Sequence, residues 1–311
     1  MSKHIPVLLQ EVLESLNLFP GANVVDCTLG DAGHSEKILE ATDPYGKLLG
    51  IDADMEAVLR AKQFLYKYED RVVFARDNFV NLKKIVEENS FGPVNGVLMD
   101  LGWSTPQFEE RGRGFSFLRP EEKLDMRFAG NKMNMSAEDI VNDLEFGRLV
   151  IIFKKYGEEN LSKQIVKAIV DRRKEKRIET VGELVEIILT VYREKLKIPT
   201  QESGQAEQRI PWIGGMHPAT KVFQALRIAV NDELKVLEQT LPQAVEALVS
   251  GGRLAVISFH SGEDRIVKTY FKKQNEKILK IINKKPLVCS EEEGKENPRA
   301  RSAKLRVIEK I

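Results

Sequence analysis

Apolar positions along the first hundred residues switch between helical and strand spacing. Leu9, Val12, Leu13 and Leu16 recur at helical intervals, and Pro20-Gly21 stops that helix. Val24-Val25-Asp26-Cys27 reads as a short buried strand, followed by a turn-rich segment and a helix from about Ser35. The turn Asp43-Pro44-Tyr45-Gly46 precedes a second strand, Leu48 to Ile51, and a helix from Met55 to Leu65. Val72 to Phe74 predicts a third strand, Leu82 to Glu88 a third helix, and Val94 to Leu101 a fourth strand. This alternation predicts βαβ units and an α/β fold with a mostly parallel, doubly wound sheet.

The rhythm breaks after about Gly114, and no strand signal is convincing until Gly204. Ser136-Ala137-Glu138-Asp139 starts a helix, with a hydroxyl N-cap and carboxylates in the first turn. Helical patterns follow around Leu144–Tyr156, Glu159–Arg173 and Val181–Val191, then a polar, linker-like stretch from Thr200 to Gln205. One long helix is expected from Pro218, with Val222, Phe223, Leu226, Val230, Leu234 and Leu237 on one face. Gly251-Gly252 precedes a fifth strand, Leu254 to Ile257; a helix follows from Glu263, and a last strand lies near Lys304–Ile308. Residues 1–113 and 205–311 therefore read as one discontinuous α/β domain of roughly 220 residues, with an all-helical insertion at 114–204.

Composition narrows the class. The chain has 311 residues, 42% of them apolar, which is ample for a packed core. Lys plus Arg is 48 and Asp plus Glu is 47, so no blanket polyanion-coating protein is expected. The charge is local instead: Lys154 to Arg177 holds nine cations against four carboxylates, and Asn297 to Arg306 holds four cations and no carboxylate. Either stretch suits phosphate contact; solvated helix faces are the plainer reading of the first. Two cysteines, Cys27 and Cys289, make no disulfide framework, and four scattered histidines lack metal-ligand spacing, so no metal is expected. The start of the chain lacks a signal-peptide pattern, and no apolar run approaches the ~20 residues of a membrane span. A cytoplasmic protein with no membrane partner is expected.

Candidate chemistry gathers at the ends of the predicted strands, where doubly wound sheets hold their ligands. The first strand runs into Asp26-Cys27-Thr28-Leu29-Gly30-Asp31-Ala32-Gly33-His34-Ser35. Gly30 and Gly33 let a ligand approach the backbone, and the helix start offers unpaired N–H groups. Thr28 stands where a dinucleotide fingerprint would carry a third glycine. Asp52, ending the second strand, can accept from both hydroxyls of a ribose, or else cap the helix near Met55. Phe79 follows the third strand and suits an adenine face or the core. The fourth strand ends Asp100-Leu101-Gly102-Trp103-Ser104-Thr105-Pro106-Gln107, combining an acceptor, a stacking face and short polar groups. The fifth ends Ser258-Phe259-His260-Ser261, where His260 is a proton acceptor or a helix-start residue.

These segments together resemble one family. His4 to Leu9, Asp26 to Ser35, Asp100 to Gln107, Arg113-Gly114-Phe115-Ser116-Phe117 and Leu124-Asp125-Met126-Arg127 carry the likeness. So do His217-Pro218-Ala219-Thr220 with Phe223 to Ile228, Ser258 to Ser261 with Glu263 to Lys268, and Asn297 to Ser302. The chain resembles the bacterial 16S rRNA (cytosine-N4)-methyltransferases, S-adenosylmethionine enzymes that act on the decoding region of the small subunit. The resemblance implies a Rossmann-like methyltransferase domain and a helical insertion that helps hold RNA. It implies cofactor contacts from Gly30, Ala32, Gly33, His34, Asp52, Phe79, Asp100 and Gln107. Trp103, Ser104, Arg113, Arg265, Arg299, Arg301 and Lys304 are the substrate and RNA candidates. The implied partner is 16S rRNA within the small ribosomal subunit, and a homodimer is left open. Where the family usually has Gly, a small aliphatic, Leu and Gly-Pro, this chain has Ala32, Trp103, Gly262 and Glu122-Lys123.

The expected reaction moves a methyl group to the exocyclic N4 of a cytidine. That nitrogen is a poor nucleophile because its lone pair is delocalised, so orientation and an acceptor for its proton matter most. Asp100 is the first candidate for that acceptor; Ser258 and His260 are the second. Trp103 suits a base held out of its stack. Two rivals remain at this stage: an RNA-binding ribosome-assembly factor that keeps a cofactor pocket, and an NAD-dependent dehydrogenase using the same glycine turn and Asp52.

Overall fold

In the computed structural model, residues 5–102, 112–128, 135–197 and 216–311 are described. Two separate cores divide the chain into two units: residues 1–104 with 234–311, and residues 105–233.

The first unit is built on strands β1 (Val24–Asp26), β2 (Leu48–Asp52), β3 (Val72–Arg76), β4 (Val94–Leu101), β5 (Leu248–Ser258), β6 (Leu279–Ile281) and β7 (Lys304–Lys310). Its helices are α1 (Leu9–Leu16), α2 (Gly33–Ala41), α3 (Met55–Phe64) and α4 (Leu82–Glu88), with others introduced below. The sheet order is β3-β2-β1-β4-β5-β7-β6. The five strands from β1 to β5 pair in parallel, and β7 and β6 close the edge antiparallel. The fold is therefore the expected α/β, Rossmann-like sheet, with an antiparallel end. Two details differ from the sequence reading. β5 starts at Leu248, because Gly251-Gly252 bends the strand without ending it. β6 carries only three residues beside lysines, too short for a periodicity signal.

Both sheet faces are covered. Val25, Leu49, Val97, Met99, Val256 and Phe271 belong to one buried layer, and Val24, Leu48, Leu98, Ala255 and Ile257 to the other. Alternation along each strand thus buries both faces, as parallel sheets require.

The second unit is helical: α5 (Ala137–Asp143), α6 (Phe146–Tyr156), α7 (Ser162–Glu175), α8 (Val181–Leu196) and α9 (Thr220–Asn231). Ser136 caps α5 with Asp139 reciprocating, as the sequence predicts, and Thr180 and Glu183 do the same for α8. Phe153, Ile165, Leu184, Val222 and Leu226 share its core.

The long helix expected from Pro218 is two helices. Asp232 adopts a left-handed conformation (φ 51°), and its N–H closes α9 on Ile228. α10 (Glu233–Ala247) then begins. Val222, Phe223 and Leu226 lie in the helical core, whereas Leu237 and Leu241 lie in the sheet's core. The division into the two units falls at 105 and 233, with α9 packed on α6. The linker-like stretch at 200–205 lies outside the described residues. Among the described residues, no helix is long and apolar enough to cross a membrane.

Candidate active site

Strand order reverses between β1 and β4, so their carboxyl ends open the crevice where such sheets hold ligands. Asp26 ends β1 and is buried. Its Oδ2 accepts from the Ser35 hydroxyl at 2.7 Å, and its Oδ1 from the Thr28 N–H at 3.0 Å. Thr28 Oγ1 in turn accepts from the Asp100 N–H at 2.8 Å. The residue in the place of a third glycine thus ties the β1 loop to β4. Replacing Ser35 by Ala leaves one Asp26 oxygen without its donor; we expect a loss of about 1–3 kcal/mol in denaturant unfolding. An unchanged midpoint would remove Asp26–Ser35 as the brace of this loop.

Gly30 (φ +50°) and Ala32 (φ +61°) both take left-handed backbone, and Ala32 opens α2. Glycine, usual in the family at position 32, adopts this region freely; for an alanine it costs on the order of 1 kcal/mol. A Cβ at Gly33 would stand 2.6 Å from the Pro6 ring, so only glycine allows that approach. His34 Nε2 donates to the Val7 carbonyl at 2.9 Å, which leaves Nδ1 as the unprotonated nitrogen of the neutral ring. The segment 5–8 is itself held: Leu8 N–H donates to Glu293 Oε1 at 2.8 Å, and Asn297 Nδ2 to the Ile5 carbonyl at 3.1 Å.

Asp52 does not cap α3; Asp54 does, accepting from the Glu56 N–H. Asp52 instead accepts from the Gly30 N–H through Oδ2 at 2.9 Å and from the Asp54 N–H through Oδ1 at 2.8 Å. Each oxygen keeps a second lone pair. Burial pushes this carboxyl up to about 6, against those two hydrogen bonds, with Asp54 and Asp26 adding repulsion.

Asp100 lies near the end of β4. Its Oδ2 faces His34 Nδ1 at 3.7 Å, and its buried Oδ1 has no hydrogen-bond partner among the described residues. Burial raises its pKa; His34 and Arg299 oppose this, and Asp26 and Glu263 add to it. Arg299, an RNA candidate from sequence, is half-buried and interacts electrostatically with Asp100 and Asp31.

The end of β5 is more committed. Ser258 is buried, its hydroxyl directed at the Lys304 carbonyl at 3.4 Å. His260 is the N-cap of α11 (Ser261–Gln274), its Nδ1 accepting from the Gly262 and Glu263 N–H groups at 3.2 and 3.4 Å. Nε2 therefore carries the proton and stands 3.2 Å from Glu263 Oε1. The helix-start reading of His260 is the one the geometry supports. Gly262 is explained by this cap: a Cβ there would sit 3.1 Å from the His260 ring.

Phe79 packs partly buried against the sheet's core. Arg265 and Arg301 are exposed, Arg301 Nε donating to the Gly294 carbonyl at 2.6 Å. Lys304 faces Asp264 at 3.6 Å. In the helical unit Arg113 donates to the Arg127 carbonyl at 2.8 Å, and Glu122, one of the departures, accepts from the Gly114 N–H at 2.8 Å. Trp103, Ser104 and Gln107 lie outside the described residues, as does His4. Sequence reasoning gave no role to Asp26, Thr28, Ser35 or Glu263. A carboxylate at a strand end followed by two nearby hydroxyls was the available signal. Burial also pushes the Cys27 thiol well up, so it is no nucleophile.

The MraW methylase family model matches residues 1–311. The chain belongs to the MraW methylase family. A relative from Clostridium botulinum (strain Loch Maree / Type A3), named ribosomal RNA small subunit methyltransferase H, is 44% identical over 325 residues, covering 99% of each chain. One of the same name from Dictyoglomus thermophilum is 46% identical over 309 residues, covering 99% of this chain and 97% of its own. This MraW methylase is therefore an enzyme with S-adenosylmethionine as its cofactor. The crevice fits that molecule. Asp52 has lone pairs for a diol beside the Gly30 turn, and Asp100 Oδ1 is buried with no hydrogen-bond partner among the described residues.

Proposed function

We propose that this methylase transfers a methyl group to the exocyclic N4 of a cytidine in the decoding region of 16S rRNA, within the small ribosomal subunit. The relatives' names support the substrate class. The observation that carries the chemistry is Asp100 Oδ1, a buried acceptor without a partner among the described residues, beside the loop that suits the cofactor.

S-adenosylmethionine supplies an electrophilic methyl on a sulfonium. Gly30, Ala32 and Gly33 bring backbone close to it, and Asp52 accepts from its ribose hydroxyls. Asp100 receives a hydrogen bond from the target amino group, fixes the nitrogen's orientation, and takes up its proton as the C–N bond forms. A raised pKa suits that last task, since a carboxyl held far below neutrality would not keep the proton. His34, fixed by Val7, faces Asp100 Oδ2 with its Nδ1 at 3.7 Å. Ser258 and His260 frame the site: one is buried on β5, the other occupied as a cap.

Unmodified small subunits incubated with methyl-labelled cofactor should gain label at one cytidine, mapped by nuclease digestion and mass spectrometry as N4-methylcytidine. Label on another base, or none, would reject the assignment.

A further inference from the structure

Residues 268–285 hold seven lysines against one carboxylate, Glu276. None of the seven pairs with a carboxylate among the described residues. The basic stretch of the helical unit behaves differently. There Arg177 pairs with Glu138, Asp139 and Asp143, Lys176 with Glu183, and Lys174 with Asp171. Arg173 donates to the Val141 carbonyl. Much of that charge is taken up within the fold, whereas that of 268–285 is not.

Lys268, Lys272 and Lys284 line a pocket of about 230 Å³ together with Phe271, Ile281 and the buried Arg306. Lys268 and Lys272 are one turn apart on α11, where like charges repel. The helix C-terminal dipole favours Lys272 but not Lys268 or Lys284. The pocket is held in shape. Asn283 Nδ2 donates to the Leu305 carbonyl at 2.8 Å, its Oδ1 accepts from the Val307 N–H at 2.7 Å, and Arg306 Nε donates to Asp264 Oδ1 at 2.6 Å.

Its position connects it to the site. β7 pairs Lys304 with Ser258 and Arg306 with Val256, so the pocket's Arg306 stands two residues from the carboxyl end of β5. β6 stands three strands beyond β4, roughly 14 Å away at ordinary strand spacing. That is about four nucleotides of helical strand.

We infer that this pocket grips the phosphodiester backbone of the substrate RNA a few nucleotides from the target cytidine. Three lysines beside apolar side chains suit a phosphate and its ribose; neither the cofactor nor the transferred group needs them. The inference rests on the RNA-methylation reading above.

The test is the triple variant Lys268→Gln, Lys272→Gln, Lys284→Gln, which leaves Arg306 and its Asp264 partner intact. Its KM for unmodified small subunits should rise about tenfold, with kcat and calorimetric cofactor affinity unchanged. The dependence of log binding constant on log salt, measured by filter binding, should become shallower by about 1, for the one phosphate no longer neutralised. Arg at all three positions should restore both values, which a folding defect would not allow. Unchanged binding and salt slope in the Gln variant would overturn the proposal, because binding is read independently of methyl transfer. Weaker binding to intact subunits but not to protein-free 16S rRNA would also overturn it, and would make a ribosomal protein the partner. Absence of methyl transfer by the unaltered enzyme would instead strike the earlier reading.

Discussion

Asp100→Asn should slow single-turnover methylation of small subunits by about a thousandfold, the middle of the range for a positioned proton acceptor. The amide is close to isosteric and keeps one acceptor oxygen, so the Thr28 bond to the backbone of residue 100 survives. It cannot take up the proton released as the C–N bond forms, and its NH₂ group would point a donor at a donor. The measurement is a rapid-quench single turnover at saturating cofactor, beside a calorimetric titration of the cofactor alone. Full single-turnover activity would remove Asp100 as the acceptor. A collapse of cofactor binding with normal turnover at saturation would make it a cofactor ligand only.

Asp52→Ala should weaken cofactor binding about a hundredfold, since two hydrogen bonds to a charged group are worth roughly 1.5–3 kcal/mol each before partial compensation by water. The substitution also strips the Gly30 and Asp54 N–H groups of their acceptor, so the glycine turn loses its tie to β2. Calorimetry reads the change directly; an unaltered Kd would refute the ribose assignment. The same residue gives a pH dependence of definite sign. Its carboxyl titrates at about 6 in the free enzyme, above the usual 3.8. Donors from a ribose favour the ionised form, so cofactor affinity should be full above pH 7 and fall by up to about tenfold per unit below 6. Stability of the free protein runs the other way. A raised carboxyl contributes stability that is present below about 3.8 and lost as pH rises through 6.

The sheet was legible because strand and helix periods alternate cleanly through β4, and because each strand ends in polar or charged residues. Asp52, Asp100 and the glycine turn could be found by position alone. The break at Asp232 could not. Val222 through Leu237 keep one helical period across it, and a left-handed aspartate looks like any other polar residue in sequence. His260 was ambiguous for a related reason, since proton acceptor and helix cap use the same lone pair; only the position of the Gly262 and Glu263 N–H groups decides. Net charge hid the distinction between the cations of 172–177, which are mostly neutralised locally, and the lysines of 268–285, which are not. Pairing depends on neighbours distant in sequence, such as Glu138 and Arg177.

The glycine turn proposed to receive the cofactor leans on residues 5–8, through Pro6 at Gly33 and Val7 at His34, and residues 5–8 lean on Glu293 and Asn297. During synthesis the glycine turn leaves the ribosome early and its outer brace some 260 residues later. A nascent or prematurely stopped chain thus lacks the finished crevice, however well its first strands have folded. With the cofactor in the proposed crevice, its capture should follow the synthesis of Glu293 and Asn297.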